Sequence, residues 1–369
     1  MTESPVKVGL IGCGNISGIY LKNARRFDVI DIVACADAVV ERAEQRAAEF
    51  APLRACAVDA LLADPEIEVV LNLTTPQAHA DIALAALQVG KSVYNEKPLA
   101  ICLEDGRRIV ETARSSGLRV GCAPDTFLGG AWQTARRLVD DGAIGEPVAA
   151  TASMLCHGHE HWHPDPDFLY QSGGGPLFDM GPYYLTALIN LLGPVRRVHG
   201  SARVTFRQRT ITSEPKRGQT IEVRTPTHVV SVLEFESGAV GTLVTSFDVW
   251  HAEVPLIEIY GSTGSLSLPD PNGFGGTVRR RGAADEMWRE MSPAFPYVEN
   301  DRGLGIADMA VGLRRGQPHR ASGALAFHVL EIMDGILVAA RERRIVELTS
   351  TCARPAAGAL GLSLANDQA

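Results

Sequence analysis

The feature that most restricts how this chain can fold is an apolar run, Val6 to Ile11, that ends in Gly12-Cys13-Gly14-Asn15-Ile16-Ser17 and passes at once into a helix-like stretch. Strand, glycine turn and helix in that order open a βαβ unit, in which the turn's backbone can approach a pyrophosphate and the helix N-terminus favours its charge. The third position of the G-x-G-x-x-G pattern is Ser17, small but not glycine, and the pattern alone is a weak signal. Asp37 supplies the missing context. It stands 20 residues beyond Ser17, at the end of the next apolar run, Ile30 to Ala36, where a carboxylate can accept hydrogen bonds from the adenosine ribose. The same carboxylate repels a 2′-phosphate, and Ala38 and Val39 bring no cation to offset it, so NAD is favoured over NADP. The competing reading is a plain turn with Asp37 capping the next helix; it leaves the ordered succession of strand, turn, helix, strand and acid unexplained.

The alternation continues through the first third of the chain. Further strands are expected at Val69 to Leu73, Ser92 to Tyr94 and Arg119 to Ala123, and helices over Ile19 to Phe27, Val39 to Glu49, Ala80 to Val89 and Leu103 to Ser116. Residues 1–124 therefore read as an α/β doubly wound Rossmann domain with a parallel sheet. After one more helix, near Ala131 to Asp140, alternating segments take over: Val148 to Leu155, Val198 to Phe206, Val229 to Phe235, Val240 to Phe247 and Leu256 to Tyr260, with an amphipathic helix over Ala324 to Ala340. Residues 125–369 read as an α+β domain with a large open, mainly antiparallel sheet for substrate binding and oligomerisation. Arg207 to Thr227 and Pro269 to Arg281 are rich in turn formers and read as loops, and the last ten residues as disordered.

With 369 residues, 46% of them hydrophobic, the chain can bury a large core. Its formal charge of −8 argues against a nucleic-acid partner, which needs a basic face. No uninterrupted apolar run reaches the roughly 18 residues of a membrane span, and no signal-peptide core precedes the first strand, so a cytoplasmic location is expected. The seven cysteines are scattered without C-x-x-C spacing and read as small core residues.

A second cluster follows the later strands: Thr74-Thr75-Pro76 with His79, then Asn95-Glu96-Lys97-Pro98-Leu99-Ala100. Downstream come Gly173-Gly174-Gly175 with Asp179, Gly181 and Tyr183, and then Gly261-Ser262-Thr263-Gly264. With the glycine turn, these motifs in this order resemble the glucose-fructose oxidoreductase, inositol dehydrogenase and MocA family over nearly the whole chain. The resemblance implies an NAD(P)-dependent oxidoreductase acting on a CH–OH group of a sugar, cyclic polyol or glycoside. It implies a cofactor site of Gly12, Gly14, Asn15, Ile16, Asp37, Thr74, Thr75, Pro76, His79, Glu96 and Lys97, with Lys97 pointing at the substrate. Lysine stays charged near its ordinary pKa of about 10.4 unless burial or a neighbouring cation lowers it; at a core strand end, beside an oxidised nicotinamide, Lys97 meets both conditions. The family's Asp-x-Gly-x motif usually ends in a histidine that transfers protons, whereas this chain has Tyr183, as glucose-fructose oxidoreductase-like members do. Tyr183 and Asp179 are accordingly the expected partners of Lys97, with Tyr184 as the adjacent phenol should the register differ.

His157, His159, His161 and His163 alternate within seven residues, which on an extended strand would set them on one face. No carboxylate or cysteine joins them at metal spacing, and the implied hydride chemistry needs no metal. A substrate-lining loop is the preferred reading, with His157, His161 and His163 bonding hydroxyls and Trp162 stacking on a sugar face. His328, in the last apolar helix, reads as a packed residue. Two further functions stay open: redox-assisted glycoside cleavage with bound NAD, and a non-catalytic dinucleotide-binding regulator. A homodimer or homotetramer is expected from the open sheet.

Overall fold

The computed structural model describes residues 4–358, 360 and 362; the expectation for the C-terminal tail falls almost wholly outside them. In the first third, β1 (Val6–Ile11), α1 (Ser17–Ala24), β2 (Ile30–Ala36), α2 (Val40–Glu49), β3 (Arg54–Ala55), α3 (Val58–Ala63), β4 (Val69–Asn72), α4 (His79–Gln88), β5 (Ser92–Asn95), α5 (Leu103–Ser115) and β6 (Val120–Cys122) follow in turn. The sheet runs β3-β2-β1-β4-β5-β6, and all its pairings are parallel. Every residue of β4 and β5 is buried, as central strands covered on both faces require. The order reverses between β1 and β4, which opens a crevice at the carboxyl ends of the strands, beside the glycine turn.

The second region holds α6 (Gly130–Asp140), β7 (Pro147–Leu155), α7 (Gly175–Leu192), β8 (Val195–Arg203), β9 (Gln208–Thr210), β10 (Thr220–Glu222), β11 (His228–Phe235), β12 (Val240–Ser246), β13 (Ile257–Gly261), β14 (Gly264–Leu268), β15 (Val278–Gly282) and β16 (Arg289–Met291). Then come α8 (Leu304–Arg315), α9 (Gly323–Glu342) and β17 (Val346–Glu347). A nine-stranded sheet runs β16-β15-β14-β13-β7-β12-β11-β8-β17; its pairings are antiparallel except β7 with β12. Strand alternation buries Val229, Leu233, Leu243, Ala150, Ala152 and Ile259 on one face, and leaves Val230 and Val240 exposed on the other.

Two compact units result, one built on residues up to 128 together with 299–327, the other on 129–298 with 328–357. Within the first, Asp125 Oδ2 accepts the N–H groups of Gly303 and Gly305 at 2.8 and 3.0 Å, fastening the start of α8. Two expected loops contain strands instead. Residues 207–227 form the β9–β10 ladder, and 269–281 lead into β15, whose Arg279, Arg280 and Arg281 disguise a paired strand as a solvated run. α9 is long and apolar enough by composition to span a bilayer, although no unbroken apolar run exists in it; two-thirds of that stretch is buried inside the protein.

Candidate active site

Gly12 is obligatory for the turn. Its φ is +102°, and a Cβ there would lie 2.5 Å from the Leu73 carbonyl carbon, so no L side chain fits. Gly14 differs, because a Cβ there meets nothing within 4 Å. The protein's own packing does not require glycine at 14; what the missing side chain leaves is open space against the turn. Helix α1 begins next to that space with Ile16 as N-cap, without a side-chain cap and without an acid in its first turn. Its first N–H groups thus lack the usual side-chain acceptor, the condition under which a helix start receives a phosphate.

At the end of β2, Asp37 Oδ2 accepts the Cys13 N–H at 2.7 Å and Oδ1 accepts the Val39 N–H at 2.8 Å. The carboxylate is fixed relative to the turn, and each oxygen keeps lone-pair capacity for a ribose hydroxyl. One contributor escaped the sequence reading. Arg46, on α2, donates to Ser17 Oγ at 3.0 Å and to the Gly14 carbonyl at 3.2 Å, which braces the turn from below; nothing in the sequence marks it beyond its helical position. Open space at Gly14, the capless helix and the fixed acid fit a dinucleotide held by Gly12, Gly14, Asn15, Ile16 and Asp37.

The second cluster divides into residues that face outward and residues that hold them. Glu96 is buried, accepting the Tyr20 hydroxyl at 3.0 Å and the Lys97 N–H at 2.8 Å. It clamps the turn that carries Lys97, which is itself half-buried. His79, expected at the cofactor, is fully buried. Its Nδ1 lies 2.7 Å from the Pro98 carbonyl and its Nε2 3.0 Å from the Thr74 carbonyl, so it bridges the Thr74-Thr75-Pro76 loop to the Lys97 turn. Burial lowers its pKa. A neutral ring can donate to only one of the two carbonyls. Asn72 completes the brace, accepting from Thr74 and donating to Asn95 at 3.0 Å and to the His79 carbonyl at 3.1 Å. Thr74, Thr75 and Pro76 keep exposed surface.

In the second unit, Asp179 lies in the second turn of α7, whose N-cap is Gly174; Asp179 is therefore not a cap. Tyr183 follows four residues later on the same helix face, and both Asp179 and Tyr183 engage other groups. Tyr184 is buried, with its hydroxyl donated to the Ser153 carbonyl at 3.3 Å and its pKa pushed up by burial. This phenol is packed beneath the sheet.

The four histidines do not share a face. β7 ends at Leu155, Gly158 takes φ +76°, and the Trp162 and His163 N–H groups both turn back onto the His159 carbonyl, so the segment is a coiled loop in which strand alternation fails. His159, not singled out for a role from the sequence, is the member that reaches Asp179, with Nε2 3.0 Å from Oδ2. Burial opposes its charge, but the hydrogen bonds to Asp179 and Cys156 and the Asp179 charge outweigh it and raise its pKa to about 10. His157 stacks on Trp250 with ring centroids 3.4 Å apart. His161 is exposed, Trp162 is 58% exposed, and His163 Nδ1 accepts the Asp165 N–H at 3.0 Å. Among the described residues no group of three or more histidine, cysteine, aspartate or glutamate side chains is arranged to hold a metal, and the seven cysteines are free.

Two family models match the chain: the oxidoreductase family with an NAD-binding Rossmann fold over residues 6–123, and the GFO/IDH/MocA C-terminal domain over residues 132–267. Among curated proteins, the 1,5-anhydro-D-fructose reductase of Ensifer adhaerens is 27% identical over 300 residues, which is 78% of this chain and 84% of that protein. The scyllo-inositol 2-dehydrogenase (NAD(+)) of Bacillus subtilis is 26% identical over 288 residues, covering 76% of each. Among solved structures, levoglucosan dehydrogenase in complex with NADH and levoglucosan superposes with a TM-score of 0.79 at 21% identity, covering 93% of this chain and 99% of that one. At that identity the likeness shows the fold.

Proposed function

Because the chain belongs to the GFO/IDH/MocA oxidoreductase family with its NAD-binding Rossmann fold, we propose that it uses NAD to oxidise or reduce one CH–OH centre of a sugar, cyclic polyol or glycoside. The observation that carries this reading is the capless start of α1 beside the open space at Gly14, with Asp37 fixed at the end of β2. NAD bound there supplies the hydride acceptor or donor. Gly12, Gly14, Asn15 and Ile16 receive its pyrophosphate, and Asp37 accepts from the adenosine ribose. Thr74, Thr75 and Pro76 line the loop next to it, while Glu96 and His79 hold that loop and the Lys97 turn in place.

Lys97 Nζ takes the proton of the reacting hydroxyl on oxidation and returns it on reduction. Tyr183 shares that proton, Asp179 orients the hydroxyl, and His159 holds the Asp179 carboxylate in place. His157, His161, Trp162 and His163 bind the remaining hydroxyls of the substrate. Residues 1–124 serve the dinucleotide, and 125–369 the substrate and assembly. The exposed valines on the free face of the nine-stranded sheet support a homodimer or homotetramer through that face, and the protein is assigned to the cytoplasm.

The test is a panel of inositols, aldoses, sugar acids and glycosides incubated with NAD and followed by absorbance of the reduced nicotinamide. Turnover within one stereochemical series is expected, with Lys97→Ala lowering kcat by roughly 10²- to 10⁴-fold. Equal activity of wild type and Lys97→Ala would refute the assignment.

A further inference from the structure

The second unit contains a cavity of about 860 Å³ walled by His157, Phe206, Gln208, Arg209, Thr212 and Trp250, within the roughly 300–1,000 Å³ of small-molecule sites. Its chemistry is uneven in an informative way. Trp250 is 71% exposed yet held flat against His157 at an interplanar angle of 14°, and Phe206 stands edge-on to the same imidazole. The result is an aromatic wall that the core does not need.

The floor carries charge that is already spent. Arg209 is buried, with its guanidinium bound to Glu160 at 2.6 Å, to the Phe247 carbonyl at 2.7 Å and to Asp248. Glu160 also accepts the Tyr170 hydroxyl, and Asp248 the Thr227 hydroxyl at 2.7 Å. One guanidinium against two carboxylates leaves no positive charge for an anion, which disfavours sugar phosphates and sugar acids. Burial and the nearby Arg209 charge lower the pKa of His157 and keep it neutral. An aromatic face beside the polar side chains of Gln208, Thr210 and Thr212 is what a neutral sugar ring presents partners for: an apolar C–H face and a polar rim.

The loop that forms one wall also serves Asp179. His157 lines the cavity while His159, two residues on, holds Asp179, and two residues span at most about 7 Å. A ring in the cavity can therefore be linked to one held at Asp179.

We propose that this cavity binds a second, uncharged glycosyl ring attached to the ring that is oxidised, so that the substrate is a glycoside of at least two rings and not a free cyclic polyol. The proposal rests on the sugar-oxidoreductase reading, and two readouts separate their failures. The first is turnover with NAD of maltose, cellobiose, trehalose and sucrose against glucose and myo-inositol, for wild type, Trp250→Ala and His157→Ala. Wild type should prefer a disaccharide, and each substitution should lower the ratio of kcat/KM for that disaccharide over the single rings by about tenfold or more. A preference for single rings, or a ratio that neither substitution changes, overturns the subsite and leaves the oxidoreductase reading standing. The second readout is quenching of tryptophan fluorescence by the same disaccharides without NAD. If no sugar on the panel is oxidised, quenching that disappears in Trp250→Ala still supports the subsite, and no quenching in wild type overturns it.

Discussion

Replacing His159 by glutamine tests whether its pair with Asp179 is ionic across the neutral range. The pKa of His159 lies at about 10, whereas an unfolded histidine titrates near 6.5. At about 1.4 kcal/mol per pH unit, this separation sets a ceiling of roughly 5 kcal/mol on the stability gained from the bound proton. The two side chains keep 14% and 16% of their surface in water, which brings the expected gain to about 3 kcal/mol. The folded-state pKa is the higher one, so the contribution is complete below about pH 6.5, falls as pH rises through the interval, and is gone above about pH 10. Glutamine retains a donor for Asp179 but cannot titrate. Urea unfolding of both proteins near pH 5.5 and near pH 10 isolates the pair, since all other titrations cancel in the difference. Wild type should lose about 3 kcal/mol more than His159→Gln over that range. Parallel losses would refute the ionic pair, as would His159 ring resonances that titrate near pH 6.5.

The two glycines of the turn should separate folding from cofactor binding. Gly12→Ala, which must displace the Leu73 backbone, should destabilise the protein by more than about 2 kcal/mol. Gly14→Ala should leave the thermal midpoint of the cofactor-free protein within a few degrees while weakening NAD binding about tenfold or more by calorimetry. Asp37→Asn should raise the KM for NAD and lower that for NADP, narrowing the preference about tenfold; unchanged constants would remove Asp37 from the ribose. Arg209→Met leaves Glu160 and Asp248 without their common cation, and should cost about 3–5 kcal/mol in urea unfolding.

The βαβ pattern of the first third was legible because its strands are uniformly apolar and its helices long enough for their period to show. β3 and α3, of two and six residues, are too short to carry a period. α7 was hidden differently. Gly175, Gly181 and Pro182 read as breakers, yet the helix runs to Leu192 because its surroundings are apolar on nearly every side, and tertiary burial overrides propensity. Leu304–Arg315 was assigned by its place in sequence, whereas its start is bonded by Asp125 in the first unit; no local signal announces a chain that returns. The histidine segment is a loop, as preferred from the sequence, and the alternation that would set its four imidazoles on one face holds only while the chain is extended. Gly158, with its positive φ, ends that condition after one residue.

The site motifs themselves show what a sequence signature records. In Asn95-Glu96-Lys97-Pro98 and Thr74-Thr75-Pro76 with His79, the residues of strongest chemical character are not all the ones turned toward a ligand. Glu96 has both oxygens engaged by Tyr20 and the Lys97 backbone, and His79 has both nitrogens on carbonyls. Each is a side chain whose two polar atoms meet fixed neighbours in a place too buried for water to take their part. The same motif therefore specifies a lysine and the brace that aims it. Spacing alone does not distinguish the two, since both need particular residues at particular positions; what separates them is which polar atoms the fold leaves without a partner. By that criterion Glu96 and His79 belong to the brace, whereas the start of α1 beside the open space at Gly14, without a side-chain cap, is left for a ligand.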